Sequence, residues 1–147
     1  MSLDVYLKLP HPVQTIGTGV FVRDNGARRE LSLAEVREQW PDADVSESVR
    51  VREYVFDRNI THNLNTMAGE AGLYECLWRP DEIGITKAEQ LIEPLTNGLA
   101  LLESEPERFK AFNPSNGWGD YAGLCAFVSA YLDACREYPD AEVSASR

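Results

Sequence analysis

Three short polar and aromatic runs hold most of the side chains in this chain that could do chemistry. They are residues 59–64 (NITHNL), 77–80 (LWRP) and 113–121 (NPSNGWGDY). An apolar core does not select asparagine, histidine and arginine, so runs of this kind form hydrogen-bonded structure or a site. The candidate ligand-binding residues are therefore Asn59, His62, Asn63, Arg79, Asn116, Trp118 and Tyr121.

His62 has the widest chemical range of these residues. A histidine at a helix N-terminus could act as a general base, or it could hold a phosphate or a ribose. The structural alternative is a histidine beside a helix cap, hydrogen-bonded to the backbone, since caps attract polar residues. The same two interpretations apply to Asn59 and Asn63, and the structural one is favoured.

Trp118 lies between two glycines, which permit unusual backbone angles and the close approach of another group. Trp118 and Tyr121 could stack on a base or another flat ligand, and Arg79 could bind an anion. The structural alternatives are a loop anchored to the core by Trp118, and a cation–π contact of Arg79 with Trp78. We expect His62, Arg79 and Trp118 to converge on one cleft, because each run adjoins a predicted helix end.

Other kinds of site find no support in the sequence. Zinc requires at least three His, Cys or carboxylate ligands, and the chain offers one suitable histidine and scattered cysteines, so no metal site is predicted. The chain contains neither a GxSxG nucleophile elbow nor a glycine-rich phosphate loop, and no cofactor is predicted. Cys76, Cys125 and Cys135 lack a CxxC spacing, and we expect three free and mostly buried thiols.

The composition indicates one globular domain with an acidic surface. A chain of 147 residues can bury a core, and a single domain is predicted over residues 1–147. The formal net charge of -10 is concentrated in residues 59–147, where six Lys and Arg residues accompany fourteen Asp and Glu residues. Such a surface repels phosphate backbones, so nucleic-acid binding is not expected. The sequence has no signal-peptide pattern and no run of about 18 apolar residues, which predicts a cytoplasmic protein without membrane contact.

Strand patterns fill the first half of the chain. The predicted strands cover residues 3–9, 19–23, 27–31, 49–56 and 142–146. Pro10 and Pro12 are expected to end the first strand. The Asn-Gly pair at residues 25–26 predicts a tight hairpin turn, and the last strand is expected to pair with the first.

Helical patterns follow. The predicted helices begin near Ser32, Thr61, Leu73, Thr86, Pro106 and Asp120. Ser32 and Thr86 each precede a glutamate by three residues, which predicts two capping boxes. Pro94 interrupts an apolar stripe and predicts a kink or two abutting helices. Since strands come first and helices later, we predict an α+β fold: a small antiparallel sheet, helices packed on one face, and a helical C-terminal half.

Several short motifs spread over nearly the full length carry a resemblance to a known family. They are residues 2–7 (SLDVYL), 59–64, 67–68, 72–74 (GLY), 77–80, 91–95 (LIEPL), 113–119 and 138–141 (YPDA). With these motifs the chain resembles a family of short proteins, without assigned activity, found in phages, prophages and actinobacterial or proteobacterial genomes. The resemblance implies a small intracellular accessory protein of phage type, and it carries over no catalytic residue.

Three functions fit these observations. The first is a non-enzymatic accessory protein that binds a small polar or nucleotide-like ligand or a host factor, as an anti-defence sponge for nucleotide signals would. The second is a small hydrolase or transferase with His62 as its base. The third is an acidic decoy that binds a basic host protein through residues 59–147. Association into a homo-oligomer is an open alternative in each case.

Overall fold

A computed structural model describes the chain from Met1 to Arg147, apart from the side chain of Arg50. Antiparallel sheets and six α-helices make it an α+β protein with a helical C-terminal half, which confirms the predicted class. The strands are β1 (Ser2–Gly17), β2 (Phe21–Asp24), β3 (Ala27–Glu30), β4 (Ser48–Thr61) and β5 (Glu142–Ser146). The α-helices are α1 (Leu33–Gln39), α2 (Asn65–Glu70), α3 (Tyr74–Trp78), α4 (Ile92–Ser104), α5 (Pro106–Lys110) and α6 (Tyr121–Glu137). Short 3₁₀ helices cover His62–Leu64, Pro80–Ile83 and Ala88–Leu91.

The main sheet has the strand order β4-β1-β5, with both neighbours antiparallel to β1. Leu3, Val5 and Leu7 are at most 1% exposed, so alternate residues of β1 face the core, as a period of two requires. Val5 pairs with Ala145, which confirms the predicted pairing of the first and last strands. None of the helices that the structure describes is long and apolar enough to cross a bilayer.

Pro10 and Pro12 do not end the first strand, contrary to the prediction. Pairing of β1 with β4 is interrupted at residues 9–12, which lie opposite Glu53, and resumes as far as Gly17. Proline has no N–H to donate, and a bulge is where a strand tolerates that loss. The two prolines therefore mark an irregularity within one long strand.

β4 is also longer than the predicted strand of residues 49–56. It continues to Thr61, so Asn59 lies in a strand, where it pairs with Asp4 of β1. β4 forms an edge of the main sheet, which accounts for an exposed Glu53 on the same strand as several valines. The site residue Asn59 is thus held by sheet pairing and not by a helix cap.

The hairpin of β2 and β3 forms a second, two-stranded sheet. Asn25 and Gly26 have φ angles of 51° and 77°, the left-handed pair that the predicted turn requires. Ser32 then caps α1, and its hydroxyl and the Glu35 carboxylate form the predicted capping box. Local turn and cap chemistry therefore fixes this part of the chain.

The second capping box forms with a different residue from the one predicted. The side-chain oxygen of Gln90, not that of Glu89, accepts hydrogen bonds from the N–H groups of Thr86 (2.8 Å) and Lys87 (2.9 Å). The 3₁₀ helix Ala88–Leu91 begins there. An amide oxygen accepts these bonds as a carboxylate would, and it is the side chain of Gln90, next to Glu89, that faces the turn.

The helices cover the face of the sheet to which β1 points its leucines. The 3₁₀ helix Ala88–Leu91 abuts α4, and Pro94 lies in the first turn of α4, where a missing N–H costs nothing. Of the two predicted alternatives, a kink and two abutting helices, the structure has the second. α6 buries an apolar stripe of Leu124, Phe127, Val128, Tyr131, Leu132 and Cys135. The Tyr131 ring stacks on Phe56 of β4 with centroids 5.0 Å apart.

Candidate functional site

His62 lies in the first helical turn after β4, as predicted. The Thr61 hydroxyl caps this turn by accepting from the N–H of Asn63 at 3.3 Å. The ring of His62 is turned towards α3, where the indole Nε1 of Trp78 donates a hydrogen bond to its Nδ1 at 2.9 Å. Trp78 itself is only 2% exposed, so this bond ties the turn to the core.

The bond from Trp78 also determines what His62 can do. Because Nδ1 accepts the hydrogen bond from Trp78, a neutral imidazole ring must carry its hydrogen on Nε2. Nε2 is buried and has no hydrogen-bond partner among the described groups. Both ring nitrogens are therefore directed inwards, and neither is presented to a substrate in solution.

Arg79 follows Trp78 and is held by two neighbours. Its Nε donates to the hydroxyl of Tyr74 at 3.2 Å, and its Nη1 forms an ion pair with Glu82 at 3.0 Å. These contacts, that with Tyr74 foremost, raise the pKa of Arg79. The ring that stacks on Trp78 is that of Tyr74, with centroids 5.6 Å apart. The guanidinium of Arg79, which could bind an anion, is thus already paired with the carboxylate of Glu82.

The loop between α5 and α6 is fixed by hydrogen bonds of its own asparagines. Asn116 accepts from the N–H of Trp118 at 3.0 Å, and Asn113 accepts from the N–H of Tyr121 at 2.8 Å. The Asn63 amide reaches across to the carbonyl of Trp118 at 3.5 Å. Asp120 caps α6 as predicted, through the N–H of Gly123.

Gly119 brings this loop against the turn that holds His62. Its φ angle is 93°, and a Cβ at this position would lie 2.6 Å from Cγ2 of Thr61 and 3.0 Å from Cγ of Leu64. Only glycine allows both the backbone angle and the contact. The loop is therefore held against Thr61 and Leu64 by the close approach of the Gly119 backbone, and not by the indole of Trp118.

The side chain of Trp118 is 71% exposed. The alternative in which this residue anchors its loop to the core is therefore wrong. Tyr121 is partly buried instead, and its hydroxyl donates to the carbonyl of Leu102 at 2.7 Å. Of the two aromatic residues assigned to ligand stacking, Trp118 is the one whose ring is presented to solvent.

The structure thus brings the three polar and aromatic runs together through Trp78 with His62 and through Asn63 with Trp118. Their functional groups do not face one another: the ring nitrogens of His62 point inwards, and Arg79 forms an ion pair with Glu82. Two grooves of the molecule are lined by none of the seven predicted site residues. A cleft shared by His62, Arg79 and Trp118 stays a prediction.

All three cysteines are free thiols, as predicted, and Cys76 and Cys135 are buried. Burial raises the pKa of Cys76 and of Cys135 to about 12. Cys125 is partly exposed. Among the described residues, no group of three or more His, Cys, Asp or Glu side chains is placed to hold a metal ion.

Comparison of the chain with protein-family models, with curated proteins and with solved structures finds no match. The likeness to phage-type proteins therefore rests on the sequence motifs alone. Function has to be inferred from the arrangement of this chain's own side chains.

Proposed function

We propose that this chain is a non-enzymatic accessory protein of phage type that acts in the cytoplasm and binds a basic protein partner through Trp118. The observation that carries this proposal is an indole 71% exposed on a loop whose backbone is fixed on both sides. A large aromatic ring in water is unfavourable for the free protein, and a partner that covers it removes that cost.

The energy available at Trp118 is sufficient for a specific contact. Burial of a tryptophan side chain covers roughly 150–250 Å² of surface, and at about 25 cal/mol per Å² this contributes several kcal/mol. The loop is already ordered, so little further conformational entropy is lost on binding. Tryptophan is also the residue most enriched among those that dominate protein–protein affinity.

The shape of the site favours a protein over a small molecule. Small ligands bind in concave sites that enclose most of their surface, whereas Trp118 projects into solvent. A projecting ring fits a pocket on a larger partner. The amides of Asn63 and Asn116 beside it keep unused hydrogen-bonding atoms that suit the rim of such a contact.

Charge determines the kind of partner. Residues 59–147, which include the loop, carry fourteen Asp and Glu residues against six Lys and Arg residues. A net negative charge of this size favours association with a basic protein over an acidic one. The acidic-decoy alternative and the host-factor alternative therefore describe one interaction.

The inward orientation of the reactive side chains supports a non-enzymatic role. Neither nitrogen of His62 is free to accept a proton from a bound substrate. The buried thiols of Cys76 and Cys135, with their pKa raised to about 12, are not activated nucleophiles. A hydrolase or transferase with His62 as base would need this ring to leave its hydrogen bond with Trp78.

The experiment isolates a partner from bacterial extract, purifies it and measures its affinity for three forms of the protein. Trp118→Ala should weaken binding by about thirtyfold or more, because the anchor side chain is lost. Trp40→Ala is the matched control, since Trp40 is also exposed, at 47%, and should bind as the wild type does. Affinity should fall as salt is raised.

Equal affinity of Trp118→Ala and wild type for every purified partner would overturn the proposal. Turnover of a nucleotide substrate that is lost in His62→Ala would also contradict it and favour the enzyme alternative. Melting temperatures of all variants, measured in parallel, separate a lost contact from a lost fold.

A further inference from the structure

A groove of about 1130 Å³ lies between the β2–β3 hairpin and the edge strand β4. Both walls contribute aromatic rings, with Phe21 from the hairpin and Tyr54 from β4, and Tyr6 of β1 also lines the groove. Tyr6 and Tyr54 meet edge to face with centroids 6.0 Å apart. The groove therefore offers flat apolar surfaces in a concave setting, which is the usual form of a small-ligand site.

Three arginines line the same groove: Arg28, Arg52 and Arg58. Arg52 lies 5.9 Å from the centre of the Tyr138 ring. The guanidinium carbon of Arg28 lies 3.8 Å from the centre of the Phe21 ring. Arg58 reaches from β4 to the hairpin turn and donates from Nη2 to the carbonyl of Asn25 at 2.5 Å. Each guanidinium has five N–H donors, so these side chains keep donors that these contacts do not use.

None of these three arginines forms an ion pair with a side chain that the structure describes. In contrast, Arg29, Arg79 and Arg108 each pair with a glutamate at 3.0 Å or less. The chain has 24 carboxylates for 14 Lys and Arg residues, so carboxylate partners are plentiful. Guanidinium groups that have no carboxylate partner, in one groove of an acidic protein, are suited to bind an anion.

Carboxylates also line the groove, and they limit the charge of the ligand. Glu30 accepts from the N–H of Gly19 at 3.2 Å, and Glu53 and Asp57 lie along β4. A chain of several phosphates would be repelled by these groups. A single phosphate would be repelled less, and the arginines would offset that repulsion.

We propose that this groove binds a small ligand that carries a single phosphate and a planar ring, of the nucleoside monophosphate type. Arg28 and Arg58 hold the phosphate, and the ring packs against Tyr54. Arginine supplies paired donors for phosphate oxygens, and an aromatic face accepts any flat heterocycle. The site is independent of Trp118, so this proposal does not rest on the partner contact proposed above.

Titration calorimetry of the full chain with AMP, adenosine, inorganic phosphate and ATP tests each part of the proposal. AMP should bind, and adenosine and phosphate should each bind at least about tenfold more weakly, because each lacks one half of the contact. ATP should also bind more weakly than AMP because of the carboxylates. Tighter binding of ATP than of AMP would overturn the single-phosphate assignment.

Variants locate the site. Arg28→Ala and Arg58→Ala should each lower the affinity for AMP by about tenfold or more, the cost of a charged hydrogen bond. Arg136→Ala, an exposed arginine at the end of α6, is the matched control and should change affinity by less than about twofold. Tyr54→Ala should weaken AMP but leave phosphate binding unchanged.

Arg58 also ties β4 to the hairpin, so its loss could act through the fold. Hydrogen exchange of β2 and β3 in Arg58→Ala detects this, and Arg28→Ala then decides the proposal, since Arg28 makes no such link. Absence of AMP binding by the wild type at millimolar concentration, or equal AMP affinity of wild type and Arg28→Ala, would overturn it. Loss of AMP binding in Trp118→Ala would also overturn it, because the ligand would then lie elsewhere.

Discussion

The indole Nε1 of Trp78 donates a hydrogen bond of 2.9 Å to Nδ1 of His62, sixteen residues earlier in the chain. This bond joins the turn after β4 to α3, and one of its two side chains, His62, is a predicted site residue. The ring of Tyr74 stacks on that of Trp78, and its hydroxyl oxygen accepts a hydrogen bond from Nε of Arg79. Much of the polar and aromatic run at residues 77–80 therefore stabilises the fold.

Trp78→Phe should destabilise the protein by roughly 1–3 kcal/mol. Phenylalanine keeps most of the stacking on Tyr74 but removes the N–H donor, which leaves Nδ1 of His62 buried without its partner. The free energy of unfolding in urea measures the effect. Trp40→Phe, at an exposed tryptophan, should change stability by less than about 0.5 kcal/mol. Equal stabilities of the two variants would show that the Trp78 bond contributes nothing.

Gly98→Ala should destabilise the protein, although alanine is the better helix former. Gly98 is buried in α4, and a Cβ there would lie 2.2 Å from Cδ2 of Leu73. The resulting overpacking costs typically about 1–3 kcal/mol. Gly69→Ala in α2 is the control: its Cβ meets nothing closer than 3.9 Å, and helix propensity should stabilise it by about 0.5–1 kcal/mol. Opposite signs in urea denaturation are the expected result, and a stabilised Gly98→Ala would contradict the packing.

Elements that depend on local chemistry could be predicted from the sequence. The Asn25–Gly26 turn, the caps at Ser32 and Asp120 and the buried stripe of α6 each depend on residues within one or two turns of chain. Pro10 and Pro12 were misjudged because a proline signals only a missing N–H. Whether a strand ends or bulges there is decided by pairing with β4, more than forty residues later.

The site was less predictable for the same reason. The sequence offers two interpretations of His62, reactive and structural, and the orientation of its ring is set by Trp78, which no local pattern specifies. The groove between hairpin and β4 combines Arg28 with Arg58, and neither residue stands in a motif. Trp118 could be noticed from its flanking glycines, but whether it is buried or exposed depends on how Gly119 packs on Thr61.

Alkylation of the folded protein near neutral pH should modify Cys125 first. Cys125 is partly exposed, whereas burial raises the pKa of Cys76 and of Cys135 to about 12, so these two thiols stay almost wholly protonated near neutral pH. Mass spectrometry after brief iodoacetamide treatment should show one modified cysteine, and three after denaturation without reductant. Rapid modification of Cys76 in the folded protein would contradict this placement.

Stability should fall as the pH rises above about 9. The raised pKa of Cys76 and of Cys135 means that the folded protein keeps both protons while the unfolded chain, with ordinary thiols near pKa 9.0, loses them. The stabilisation is complete below the unfolded pKa and is lost progressively between about pH 9 and about 12. Urea denaturation across this range measures it, and Cys76→Ala should show a shallower decline. An unchanged free energy of unfolding up to about pH 11 would disprove the linkage.

Gly119→Ala should destabilise the protein more than Gly117→Ala. Both glycines have positive φ angles, 93° and 76°, so alanine costs about 1–2 kcal/mol at either position through the backbone alone. At Gly117 a Cβ would meet nothing within 4 Å, whereas at Gly119 it would lie 2.6 Å from Cγ2 of Thr61. The extra loss at Gly119, about 1–3 kcal/mol, is therefore the cost of that contact.

Thr61→Ser provides the decisive double-mutant cycle for this contact. Serine removes the Cγ2 methyl group and keeps the hydroxyl that accepts from the N–H of Asn63. Combined with Gly119→Ala it should recover part of the lost stability, and combined with Gly117→Ala it should recover none, since couplings arise only between groups in contact. Free energies of unfolding for the wild type, the three single variants and the two double variants measure the coupling. Additive effects at Gly119 would mean that the loop carrying Trp118 is not held against the turn of His62.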